Sequence, residues 1–62
     1  KALELDPKSS AAHTNLGSSL LRSGANAEAE KHFRAALEAD PKNAVAQQGL
    51  TKVLASGGRT DP

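Results

Sequence analysis

Residues 2–8 read ALELDPK and residues 36–42 read ALEADPK, an offset of 34 positions. Carried through the chain, that offset pairs residues 1–28 with 35–62. Ten of the 28 pairs are identical: Ala2, Leu3, Glu4, Asp6, Pro7, Lys8, Ala12, Leu16, Leu20 and Gly24 match Ala36, Leu37, Glu38, Asp40, Pro41, Lys42, Ala46, Leu50, Leu54 and Gly58. Chance supplies only a few such matches. Seven of the ten fall on apolar, Gly and Pro positions, where packing and backbone geometry restrict the choice. The chain is an internal repeat, and a period of this length makes each unit one supersecondary element stacked on its neighbours.

Outward from the Asp-Pro pairs, local chemistry sets the elements. Pro7 and Pro41 forbid helix continuation and bias Asp6 and Asp40 away from the right-handed helical region. Ser9 and Asn43 follow, placed to cap helices by accepting from orphan N–H groups two or three residues on. The expected helices run over 10–23, 27–39 and 44–56, with both prolines outside them. Ala12, Leu16 and Leu20 form the apolar stripe of the first. Ser23-Gly24-Ala25-Asn26 is a turn, with Gly24 free to take positive φ and Asn26 placed to cap the second helix. Glu28 and Glu30 complement that helix's N-terminal partial charge. Ala29, Phe33, Ala36 and Leu37 line its inner stripe, and Glu30–Arg34 and Arg34–Glu38 are i,i+4 pairs on its wet side. The third helix repeats the pattern with Ala46, Leu50, Val53 and Leu54. Residues 57–62 have no apolar side chain and read as a flexible tail. Glu38 and Asp40 stand near a helix C-terminus against the dipole, and local single-chain rules give no account of them.

Composition agrees with the repeat. Of 62 residues, 12 are Ala and 8 Leu, while only 11 apolar residues are large: 8 Leu, 2 Val and Phe33. Ala, Leu, Glu and Lys favour helix, and with no Ile, Tyr or Trp a sheet has little to build from. The fold class that follows is all-α. There is no cysteine, so disulfide scaffolds and thiolate metal sites are excluded. A net charge of +1 provides no bulk attraction to nucleic acid or an anionic membrane. No apolar run approaches the ~20 residues of a membrane span. The first seven residues are too acidic and too poor in apolar side chains for a signal peptide, so a cytoplasmic setting is expected.

The 34-residue helix-turn-helix period with Leu16-Gly17, Leu20, Ala29, Phe33, Ala36 and Pro41 resembles the tetratricopeptide repeat. One complete repeat spans 10–43. Residues 1–7 read as the end of a preceding repeat's helix, and 44–56 as the first or capping helix of a following one. The resemblance implies an α-solenoid of antiparallel helix-turn-helix repeats, in which Gly17 and Ala29 are the small residues admitting close helix approach, Phe33 the large knob, Ala36 another small contact and Pro41 the stop between repeats. His13 stands where the family favours Trp and Leu20 where it favours Tyr. Asn26 and Glu30 replace a frequent aromatic and a frequent aliphatic, and Thr51 stands where Gly17 stood. With so few large apolar residues, the expectation is a partly unfolded monomer or an assembly.

The resemblance also implies a function: a scaffold segment presenting a concave groove to a protein or peptide partner. First-helix residues Ala11, Thr14, Asn15, Ser18, Leu21 and Arg22, followed by Val45, Gln48 and Lys52, are its candidate lining. The narrower candidates are Thr14, Asn15, Ser18, Arg22, Gln48 and Lys52. Asn15 matches one asparagine of the family's carboxylate clamp, but Thr14, Ser18, Val45 and Gly49 do not supply the remaining clamp residues. The alternative is a stacking, capping or self-associating unit that uses no groove. His13 and His32 lie on different helices without Cys or a spaced carboxylate pair, so neither metal nor cofactor is expected. No Ser-His-Asp order, HExxH or phosphate loop is present, so no enzyme is expected. Interleaved acids and a single aromatic leave no nucleic-acid platform.

Overall fold

The computed structural model describes residues 6–55, which form three packed antiparallel helices. These are α1 (Pro7–Ser23), α2 (Asn26–Ala39) and α3 (Ala44–Val53). Most of the expected closing helix at 1–7 and all of the tail at 57–62 lie outside the described residues. The α1–α2 interface is the most extensive, while α3 rests chiefly on α2 and more lightly on α1.

The two Asp-Pro-Lys tripeptides take different structures. Pro7 is not outside a helix as expected; it opens α1, and Asp6 is the N-cap instead of Ser9. Asp6 Oδ1 accepts from the N–H groups of Lys8 (3.2 Å) and Ser9 (3.3 Å). A proline at the first helical position loses nothing, since that N–H has no intrahelical partner and the ring fixes a helical φ. Asp6 is further tied by its own N–H, which donates to the Ala39 carbonyl at the end of α2 (3.0 Å). Pro41 does lie outside, in a turn closed by Asn43 N–H donating to the Asp40 carbonyl (3.1 Å). There Asn43 caps α3, its side-chain oxygen accepting from Ala46 N–H at 3.0 Å. Asp40 Oδ1 accepts from Lys42 N–H (3.1 Å), so its carboxylate works in the turn, which explains an acid at that helix end.

Gly24 ends α1 in the left-handed region at φ 90°, ψ 3°. Its N–H donates to Leu21 O (3.1 Å) and the next N–H, Ala25, to Leu20 O (2.8 Å), the paired bonds of a Schellman motif. The turn is so tight that α2 begins at Asn26, inside the helix, with Ala25 as a cap lacking any side-chain bond. The expected Asn26 cap is therefore not formed. Glu30 and Arg34 meet at 2.7 Å, and they are the only ion pair among the described residues, so the Arg34–Glu38 pairing is not made.

The core consists of Ala29, Phe33, Ala36, Ala46 and Val53, flanked by half-buried Leu20, Leu21, Leu37 and Leu50. Phe33 is 1% exposed and seated between Gly17 of α1 and Gly49 of α3. A Cβ at Gly17 would stand 2.8 Å from its ring, and one at Gly49 closer still. This slot fixes which side of α1 turns inward. The inward side carries Ser10, Thr14 and Gly17, not the expected stripe: Ala12 and Leu16 are exposed, and only Leu20 of the three joins the core. The repeat's small positions, not its leucines, set the phase of α1.

Candidate functional site

A buried polar network locks the first turn of α3 against α1. Ser10 Oγ donates to the Ala36 carbonyl (2.9 Å) and Thr14 Oγ1 to the Ser10 carbonyl (2.7 Å). Asn43 Nδ2 donates to both hydroxyls, at 2.7 Å and 3.0 Å, while its oxygen caps α3. The assignment of oxygen and nitrogen on Asn43 follows from the network, since only an oxygen can accept from Ala46 N–H. Among the described residues no buried side-chain polar atom lacks a partner. Ser10 thus ties α1 to α2 and Asn43 ties α1 to α3, and satisfied networks of this kind rigidify the elements they join.

With α3 so held, its outer face and that of α1 enclose an open cleft of about 280 Å³. Ser18, Leu21 and Arg22 line it from α1, and Val45, Gln48, Gly49 and Lys52 from α3. Four of the six narrower sequence candidates, Ser18, Arg22, Gln48 and Lys52, therefore share one cleft. Thr14 does not join them: it is 6% exposed, with its hydroxyl held in the network. Asn15 and Ala11 are exposed but do not line the cleft. The chemistry available is that of recognition: a hydroxyl, an amide, two cations and two aliphatic side chains. A second, shallower depression lies over α3 alone, bounded by Gln47, Gln48, Thr51 and Lys52.

Sequence reasoning missed two features. Gly49 is one, although a lone Gly inside a helical pattern signals a close approach. The other is the His13–His32 pair, with Nδ1 atoms 3.1 Å apart and rings stacked at 5.3 Å and 30° across the α1–α2 interface. One ring nitrogen must donate and the other accept. Among the described residues no group of three or more His, Cys, Asp or Glu could hold a metal, and no helix is long and apolar enough to cross a membrane.

Comparison with known proteins agrees with the geometry. Two family models, each described as tetratricopeptide repeat, match residues 20–62 and residues 1–31. No curated protein and no solved structure matches the chain. Such repeats are generally protein–protein interaction modules and typically non-catalytic. The period, the glycine slot around Phe33 and a family match over more than half the sequence agree: the chain belongs to the tetratricopeptide repeat family.

Proposed function

We propose that this chain is a scaffold segment whose α1/α3 cleft receives an extended peptide from a protein partner. The supporting observation is the convergence of Ser18 and Arg22 with Gln48 and Lys52 on one uncovered surface between helices held rigidly by Asn43. Residues 10–43 act as the complete repeat, and α3 supplies the second wall of the groove. Selection of random displayed peptides on the immobilised chain tests the reading. Enriched peptides should shift the amide resonances of Ser18, Arg22, Gln48 and Lys52, and Val45→Asp should weaken them. Enrichment no better than on a bare support, or shifts confined to α2, would refute it.

A second reading, stacking on neighbouring repeats or self-association, is favoured by a different observation. Leu16 and Leu54 are 49% and 41% exposed, leaving apolar edges at the two sides of the bundle. Repeats of this type bury such edges against the next unit. Against further stacking over α3, Gln47, Gln48, Thr51 and Lys52 are all exposed polar side chains, as a capping helix requires. The two readings part at the groove: a unit that stacks or self-associates through its edges needs no peptide on the α1/α3 face.

A further inference from the structure

We infer that the partner segment is acidic, engaged through its Asp and Glu side chains by Arg22 and Lys52; this rests on the groove reading above. The observation is a segregation of charge. The two helices that wall the cleft, PKSSAAHTNLGSSLLRS and AVAQQGLTKV, carry Lys8, Arg22 and Lys52 and not one carboxylate. Every carboxylate among the described residues lies elsewhere: Glu28, Glu30 and Glu38 on α2, Asp6 and Asp40 in the turns.

Several of those acids are already engaged within the fold. Asp6 caps α1, Asp40 closes its turn onto Lys42 N–H, and Glu30 holds Arg34. Arg22 and Lys52 are exposed and take part in no ion pair among the described residues. Each also sits in the last turn of its helix, where a cation complements the dipole. The dipole would be satisfied from any side of that turn, yet both cations face the cleft. Between them lie half-buried Leu21 and Val45, which is 59% exposed, so an aliphatic residue between the acids has a surface to cover. The near-neutral total charge of the chain conceals this one-signed face.

The probe is a short Glu-rich peptide carrying two Leu, acetylated and amidated so that no terminal carboxylate is present. Its Lys-for-Glu and Gln-for-Glu counterparts serve as controls. Titration of the 62-residue chain, followed by amide resonances, reads folding and binding together. The Glu peptide should shift Ser18, Arg22, Gln48 and Lys52 and bind about tenfold more tightly than the Lys peptide, since two rim ion pairs each contribute about two- to fivefold. Raising salt should narrow that difference. Arg22→Glu/Lys52→Glu should reverse the order of the two peptides, and Arg22→Gln/Lys52→Gln should abolish it; both sites are exposed, so the Gln pair should keep the wild-type helical spectrum, while the Glu pair opposes the dipole at two helix ends and its shifts are compared at the helicity read in the same titration. If the Gln or Lys peptide binds these residues as well as the Glu peptide, the acidic preference is wrong and the groove reading stands. If none of the three perturbs the cleft, both fall. Equal shifts from single-stranded oligothymidylate would mean general polyanion attraction and would also overturn the assignment.

Discussion

Gly49→Ala is the sharpest test of how the three helices are held. A Cβ at this position would overlap Cζ, Cε1 and Cε2 of the Phe33 ring, with Cε2 at 2.8 Å. Non-bonded carbons sit comfortably at ~3.5–4.0 Å, so the overlap approaches an ångström. The ring cannot step aside. It is 1% exposed, and the same Cε1 and Cζ atoms also meet Gly17, where an added Cβ would itself lie 2.8 Å away. The methyl group must push α3 off α2, an overpacking penalty of ~1–3 kcal/mol. Replacing Gly by Ala inside a helix returns ~1 kcal/mol of propensity. The slot is closed on both sides, so the penalty falls toward its upper end and leaves a net loss of ~1–2 kcal/mol. In a chain this short that lowers Tm by ~5–15 °C, read by circular dichroism with an osmolyte holding the native baseline. The second arm is a double-mutant cycle with Phe33→Leu, which empties the slot. The pair should be less destabilised than the sum of the singles by more than ~0.5 kcal/mol, the scatter of additive sites. A Gly49→Ala variant that melts higher than the parent, or singles that simply add, would refute the slot.

Three other substitutions or conditions have defined outcomes. Asn43→Ala removes the α3 cap, worth ~1 kcal/mol, and two part-buried hydrogen bonds worth ~0.5–1.5 kcal/mol each, so urea unfolding should register a loss of ~2–4 kcal/mol. Asn43→Asp should restore only the cap share, because a carboxylate cannot donate to Ser10 and Thr14; full recovery would mean that those two bonds carry no weight. Gly24→Ala forces a side chain into positive φ and should lower stability by ~1 kcal/mol, with Gly24→Asn losing less; indifference to both would contradict the Schellman turn. Helicity and sedimentation across a dilution series should show either concentration-dependent melting or a partly unfolded monomer. A monomer melting cooperatively above ~60 °C regardless of concentration would show that the exposed Leu16 and Leu54 edges need no cover.

The sequence made legible what is local and periodic. The three helices, the Gly24 stop, the Asn43 cap and the burial of Phe33 all follow from single-residue backbone chemistry or from the repeat. What failed required knowing how one helix faces another. Ala12, Leu16 and Leu20 at i, i+4, i+8 define a stripe, but periodicity does not say which of two adjacent faces meets the partner. A ring seated against Gly17 decided that, and it turned Thr14 inward, away from the cleft. The His13–His32 contact is of the same kind, since it depends on the phase of two helices at once. The Asp6 error was local. An Asp followed by Pro is a sound cap with proline at the first helical position, and Ser9 competes for the same role only until the hydrogen bonds are known.

The same economy explains how a chain with so few large side chains leaves the α1/α3 face free for the proposed groove. Most repeats of this size would need bulky residues on both helices of a pair to fill the space between them. Here Gly17 and Gly49 bring the backbones of α1 and α3 onto a single ring, so one Phe on α2 does the filling for both neighbours. Ser10, Thr14 and Asn43 complete the contact with hydrogen bonds instead of apolar volume. The outer positions of α1 and α3 are thereby released from core duty, and Ser18, Arg22, Gln48 and Lys52 occupy them without loss to the packing. Neutral polar substitutions at those four positions should change partner preference while leaving unfolding within ~1 kcal/mol of the parent, the range of ordinary surface changes and of a cation lost from a helix C-terminus. Substitutions at Gly17, Phe33 or Gly49 should lower stability, with binding falling only as the folded population falls. A cleft residue whose replacement unfolds the chain would show that groove and core are not separable, and the assignment of the α1/α3 face to recognition would fail with it.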